Sequence, residues 1–233
     1  MTLTVNSTKY SIFGKYDFME ATPDNVSKLW NIFGKDEFLP NIVQMIQIEQ
    51  PQNVVTKLMR PQFVNVGKGC NVTFLPDRID IEMNDGKCID LDVIIEYYDK
   101  IIKAFNLKIN TIALNSSAII HVSTLEESEV LRKGILCEKS YPYSENIIEW
   151  ESRNVARKEC DGLGELANVG QNVQSIATAT DTGISIAQIQ IDTDINTLAE
   201  KSVERFDVLS CKTFFACATT WNKELLDNLE RIV

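Results

Sequence analysis

Residues able to do chemistry are sparse in this chain, and their spacing matches no common catalytic arrangement. The single histidine, His121, falls in the alternating stretch Ala118–Val122, on the face opposite Ala118, Ile120 and Val122. A general base needs an orienting partner and a nucleophile beside it, and the neighbouring sequence offers neither. His121 therefore reads as an ordinary strand histidine that retains an imidazole's pH response. Carboxylates pair at Asp80/Glu82, Glu149/Glu151 and Asp192/Asp194. Positions i and i+2 on a strand share a face, so each pair is able to hold a hard cation or share a proton. A solvated sheet face requires the same pattern. Asp77 after Pro76 has the look of a nuclease Pro-Asp step, but the Glu-x-Lys tripeptide that would support it is absent.

Phosphate-binding signals are weaker still. Gly67-Lys68-Gly69 lacks the Gly-x-x-x-x-Gly-Lys frame and a following helix, and Gly162-x-Gly164 lies among strand-forming residues. Both read as bends. No Gly-x-Ser-x-Gly nucleophile elbow is present. The cysteines at 70, 88, 137, 160, 211 and 217 form no Cys-x-x-Cys pair, and one histidine makes no zinc cluster. They read as buried thiols of a reducing compartment. Cys211 and Cys217, about 120° apart around a helix, are poor disulfide partners. No cofactor and no metal site is expected.

A formal charge of −10 disfavours non-specific affinity for nucleic acid or anionic membrane. Residues 1–107 hold 11 basic and 14 acidic side chains and 108–233 hold 12 and 19, so the second half is the more acidic. The N-terminus lacks a signal pattern, and no apolar run approaches the roughly 20 residues that span a bilayer. The expected location is cytoplasmic, with no membrane association.

The elements that must position these residues are easier to read. Thr22, Pro23 and Gly34 punctuate a helix whose apolar face is Val26, Leu29, Trp30 and Phe33. Tyr10-to-Phe18 and Ile42-to-Ile48 flank it as strands. Strand regions at Val54–Met59 and Phe63–Val66 precede a hairpin in which Asn71–Leu75 turns at Pro76-Asp77 into Arg78–Met83. There Ile79, Ile81 and Met83 alternate with Arg78, Asp80 and Glu82, giving one packed and one wet face. Leu91, Ile94, Ile95, Tyr98, Ile101, Ile102 and Phe105 then keep helical spacing for four turns and should cover a sheet.

The order restarts with a strand over Ile112–Val122 and a capping box at Ser123–Glu126 opening a short helix. A polar loop with Tyr141-Pro142-Tyr143 leads to a strand over Asn146–Val155. Further strands are expected at about 163–169, 171–180 and 183–192. From about Thr197 the chain reads as helix to its end, kinked or broken near Ser210–Thr213. Each half thus runs strand, helix, four strands, helix, over 1–107 and 108–233, without a flexible linker. The expectation is an α+β chain of two tandem β-α-β4-α repeats in one continuous structure.

That order resembles the fold of the TATA-box-binding proteins, and the resemblance implies a curved antiparallel sheet under helices. It covers most of the chain at the level of topology, with no matching DNA-binding residue motif. Separately, Arg60-Pro61-Gln62-Phe63, the hairpin FLPDRIDIEM, the strand IAQIQID and the long final helix are similar to a sporadically distributed bacterial family without an assigned activity. That likeness implies a bacterial or mobile-element origin and no transferable site residues.

Trp150 and Ile148 share one strand face and Glu149, Glu151 and Arg153 the other. The bland reading is core against solvent. The sharper one places Tyr141, Tyr143, Glu149, Glu151 and Arg153 at a partner interface, where aromatics and arginine are enriched. The leading functional expectation is a non-catalytic protein-binding or assembly factor, such as a bacterial accessory or inhibitor protein, engaging a protein partner or its own copy. The alternatives are nucleic-acid binding by fold analogy, disfavoured by charge, a metal-dependent hydrolase using a carboxylate pair, and a small-molecule carrier.

Overall fold

Antiparallel pairing of nine strands organises the molecule, in the order β2-β3-β4-β5-β1-β6-β9-β8-β7. The computed structural model describes residues 2–49, 54–122, 124–136, 149–180, 183–198 and 203–231. The first half contributes β1 (Thr2–Phe13), α1 (Pro23–Phe33), β2 (Leu39–Glu49), β3 (Val54–Asn65), β4 (Cys70–Phe74), β5 (Arg78–Asn84) and α2 (Leu91–Phe105). The second contributes β6 (Thr111–His121), α3 (Leu125–Ile135), β7 (Glu151–Cys160), β8 (Glu165–Thr180), β9 (Gly183–Thr197) and α4 (Val208–Glu230). The leading strands of the two halves, β1 and β6, lie side by side in the centre, flanked by the last strands, β5 and β9.

Local chemistry fixes the helix ends. The Thr22 hydroxyl accepts from the Asn25 amide, with Pro23 in the first turn, and Asp90 does the same for Asp92 at α2. Asn106, left-handed at φ 50°, closes α2. Gly34 does not supply a left-handed exit, because its φ is −63° and the chain makes a further short turn. Its lack of a side chain matters for another reason: a Cβ there would stand 2.8 Å from the Trp30 ring.

The differences from the sequence expectation have physical causes. The segments at 163–169 and 171–180 are one strand, since Gly170 keeps its pairing with Val155 and Asp194 and does not turn. The second half therefore shows three strands after its first helix among the described residues. The expected strand Asn146–Val155 lies partly outside them, and its described part runs from Glu151 to Cys160. The terminal helix begins at Val208, not near Thr197. Thr197 still pairs with Ala167 in the sheet, Phe206 bridges to Ile109, and Asp207 caps α4 by accepting from the Ser210 amide. No break follows at Ser210–Thr213. At α3 the cap is Thr124, one residue later than expected.

Among the described residues the helices cover one face of the sheet. Phe33 of α1 meets the rings of Phe38, Phe63, Phe74 and Tyr97 at centroid distances of 5.2–6.4 Å. Tyr10, Tyr98, Phe214 and Phe215 extend the same core beneath α2 and α4. The Tyr98 hydroxyl, in full burial, donates to the carbonyls of Tyr10 (2.6 Å) and Ile79 (3.2 Å), tying α2 to two strands. A smaller cluster, including Ile120, Leu131, Trp150, Ile189 and Leu229, lies below α3 and the end of α4. No helix among the described residues is long and apolar enough to cross a membrane.

Candidate functional site

The face opposite the helices is open and polar, because alternation sends the packed residues of each strand to the other side. On β5, Ile79, Ile81 and Met83 are buried and Arg78, Asp80 and Glu82 face outward, as their spacing predicts. Strand register lines the outward residues up in rows. One runs Asn41, Gln62, Thr73, Asp80, Ser11, Ala113, Asn196, Asn168 and Arg157 across all nine strands. Its side chains bond along the row: Asn41 to Gln62 at 2.9 Å, Gln62 to Thr73 at 3.1 Å, Ser11 to Asp80 at 2.7 Å and Asn168 to Asn196 at 3.3 Å. The next row places Glu82, Lys9, Asn115, Asp194, Gly170 and Val155 side by side.

A hollow of about 620 Å³ lies over these rows. Gly170 lowers its floor, since a Cβ there would approach the Asp194 carbonyl oxygen at 3.2 Å. Lys9, Arg78 and Arg153 line the hollow together with Glu82, Asp192 and Asp194. Among the described residues that line it the charge is balanced, and none of them is an aromatic side chain on which a base would stack. The carboxylates are engaged by amides: Asp194 Oδ1 accepts from Asn115 (2.9 Å) and Asn196 (3.1 Å), and Asp192 accepts from Gln190 at 2.7 Å. Asp80, 6% exposed, accepts from Ser11 and from Arg78 Nε at 3.1 Å. Among the described residues no group of three or more His, Cys, Asp or Glu is placed to hold a metal ion.

The sheet's two edges differ. At one, the outer parts of β2 and β3 run as a two-stranded ribbon beyond β4, which pairs only with Gln62–Asn65. Pro61 falls just past that pairing, where its missing N–H breaks no ladder bond. On one face of the ribbon Ile42, Ile46, Val55 and Met59 are 49%, 62%, 58% and 47% exposed. The Arg60 guanidinium, fully buried at the ribbon's root, donates to the carbonyls of Tyr16 (3.3 Å) and Asp17 (3.0 Å). At the other edge β7 pairs with β8 over all ten residues, and nothing described pairs with its outer side.

Of the residues singled out from sequence, Glu149, Glu151 and Arg153 are exposed at this β7 edge, with Trp150 buried behind them. Glu151 and Arg153 share the open face. Tyr141 and Tyr143 lie outside the described residues. His121 is exposed at the end of β6, between Thr2 and Gln188 in the pairing. Gly67-Lys68-Gly69 is a turn with Gly69 at φ 61°, and Gly162 and Gly164 are turn glycines at 81° and 64°. Cys70, Cys160 and Cys211 are buried thiols, and burial pushes Cys70 and Cys160 up to about 12. The apolar ribbon face escaped sequence reading. Its alternation is that of any half-buried strand, and only the short reach of β4 leaves it bare.

No protein-family model matches the chain, and no curated protein matches it significantly.

Proposed function

We propose that the chain is a non-catalytic protein-binding or assembly factor. The observation that supports this reading best is the bare ribbon face of Ile42, Ile46, Val55 and Met59. A two-stranded ribbon is only marginally stable in water unless something packs on it. Exposed apolar side chains grouped on one face, here with Gln44 and Lys57 among them, mark contact surfaces. The partner in this reading is a protein presenting apolar side chains to that face. The amide-held carboxylates and balanced hollow lend less support to a hydrolase or a nucleic-acid reader.

Two tandem units meeting at β1 and β6, with 1–107 and 108–233 as the repeats, would account for the mirrored strand order; the first follows β-α-β4-α, and the described residues of the second carry three strands in place of four. A reducing, cytoplasmic setting suits the buried free thiols. A bacterial origin accords with the family likeness noted above.

Ile46→Lys combined with Met59→Lys tests the function. Native mass spectrometry of the protein purified gently from its host should find a defined partner with the parent chain, and the folded double variant should lose it. Retention of the same partner by the variant would remove the ribbon from the interface. A parent chain recovered with bound nucleic acid or metal would overturn the reading.

A further inference from the structure

Helix α4 lies along the end of β7 and presents one stripe of side chains to it. Thr213, Cys217 and Trp221 recur at i, i+4 and i+8 and so share that stripe. A Cβ at Gly162, in the turn after β7, would stand 3.6 Å from the Thr213 methyl group. Eight helical residues further on, the Lys158 ammonium lies 5.2 Å from the centre of the Trp221 ring. Four helical residues rise about 6 Å and two strand residues about 6.6 Å, so the two elements keep step. Midway between the two contacts, Cys217 stands opposite Cys160.

The thiols meet at that midpoint. The Cys160 thiol donates to the carbonyl of Thr213, one turn before Cys217, at 4.0 Å. The Cys217 thiol donates to the carbonyl of Asp161, the residue after Cys160, at 3.9 Å. Each sulfur therefore rests on the main chain beside the other. Both are free thiols, and they are unequal. Cys160 is fully buried, whereas Cys217 is half-buried. Burial, and after it the neighbouring Cys217 thiol, pushes Cys160 up to about 12. The thiolate is the reacting species, so Cys217 is the sulfur that meets an oxidant first.

We propose that Cys160 and Cys217 form a reversible disulfide when a hydroperoxide oxidises the protein, fastening α4 to the β7–β8 hairpin. With hydrogen peroxide the Cys217 sulfur attacks one peroxide oxygen, the O–O bond breaks, and Cys217 becomes a sulfenic acid as one water leaves. The Cys160 sulfur then attacks the sulfenic sulfur. An S–S bond forms, the S–O bond breaks, and a second water leaves. The pair gives up two electrons and both thiol hydrogens, and one peroxide becomes two waters. Thiol reductants of a reducing compartment restore the pair by exchange. The pair sits beside β7, at the opposite edge of the sheet from the ribbon, so its success or failure is independent of the proposed function.

Peptide mapping of the full chain after treatment with hydrogen peroxide tests it. Trypsin releases Cys160 in the peptide 159–201 and Cys217 in 213–223, and it separates Cys211 from both. With remaining thiols blocked, the oxidised protein should yield these two peptides joined, at their summed mass less two hydrogens. Closing a loop of about 57 residues should raise the melting temperature by about 5–10 °C, and dithiothreitol should reverse the rise. Cys217→Ser, at a half-buried position, should abolish both the link and the rise. Cys160→Ala should leave Cys217 as a sulfenic acid that dimedone traps. Oxidation of exposed Cys88 while the two peptides stay unlinked overturns the proposal. So does a link from Cys160 or Cys217 to any other cysteine, or a peroxide-induced rise in melting temperature that survives Cys217→Ser.

Discussion

Replacing Phe33 and Trp30 separately by alanine tests how α1 holds the root of the ribbon. Helical spacing puts both rings on one apolar stripe with Leu29. The structure ranks them apart: Phe33 is fully buried among four rings, and Trp30 is 44% exposed. Truncating a buried phenylalanine costs about 3–5 kcal/mol, from lost transfer energy and the cavity left behind. Trp30 covers mainly its own helix end, and removing it should cost about 1 kcal/mol or less. With a urea slope of about 3 kcal/mol/M for a chain of this size, Phe33→Ala should lower the midpoint by about 1–1.7 M. Trp30→Ala should lower it by about 0.3 M or less. Phe33→Leu, costing about 1–2 kcal/mol, keeps the comparison measurable should the alanine variant unfold. Urea titrations followed by circular dichroism decide the matter. Equal losses for Phe33→Ala and Trp30→Ala, or a Phe33→Ala loss below about 2 kcal/mol, would refute the reasoning.

Alkaline stability should follow the buried phenols and thiols. Burial raises Tyr16, Tyr97 and Tyr98 above their ordinary range and Cys70 and Cys160 to about 12. The unfolded chain therefore releases protons first, and melting temperature should fall as pH rises from about 9 upward. A flat profile between pH 9 and 11 would contradict this. Tyr98→Phe leaves two carbonyls without their hydroxyl donor and should cost about 1–2 kcal/mol by denaturant titration. At the start of α4, hydrogen bonds from Ser210 lower the Asp207 carboxyl below its usual range. The stabilisation is present above about pH 4 and is lost as pH falls through the folded value. Asp207→Ala should accordingly cost about 1 kcal/mol at pH 7 and less at pH 3. In thiol labelling of the native protein, exposed Cys88 should react well before buried Cys70, Cys160 and Cys211.

Short-range signals account for what sequence conveyed. Helix α2 is legible because the apolar spacing that buries it, from Leu91 to Phe105, lies within a single short stretch of chain. The β4–β5 hairpin is legible for the same reason. Errors arise where a distant partner decides. Gly170 looks like a turn until Val155 and Asp194 hold it in line, and Thr197 looks helical until Ala167 pairs with it. Trp30 belongs to the apolar period of α1, yet the other elements close around Leu29 and Phe33. The site shows the same division. The alternation of Glu151 and Arg153 with Trp150 was readable, whereas the amide row from Asn41 to Asn168 joins residues that only the sheet brings together.

The central place of β1 has a consequence for how the chain is made. Strand β1 is hydrogen-bonded on one side to β5 and on the other to β6, which begins at Thr111. One edge of β1 therefore stays unsatisfied until β6, about a hundred residues later in the chain, has been translated. Pairings this distant in sequence slow folding and leave strand edges open to other nascent chains. A ribosome-bound fragment ending near residue 107 would display that edge, and timely arrival of β6 is what turns an aggregation-prone intermediate into the seam of a finished sheet.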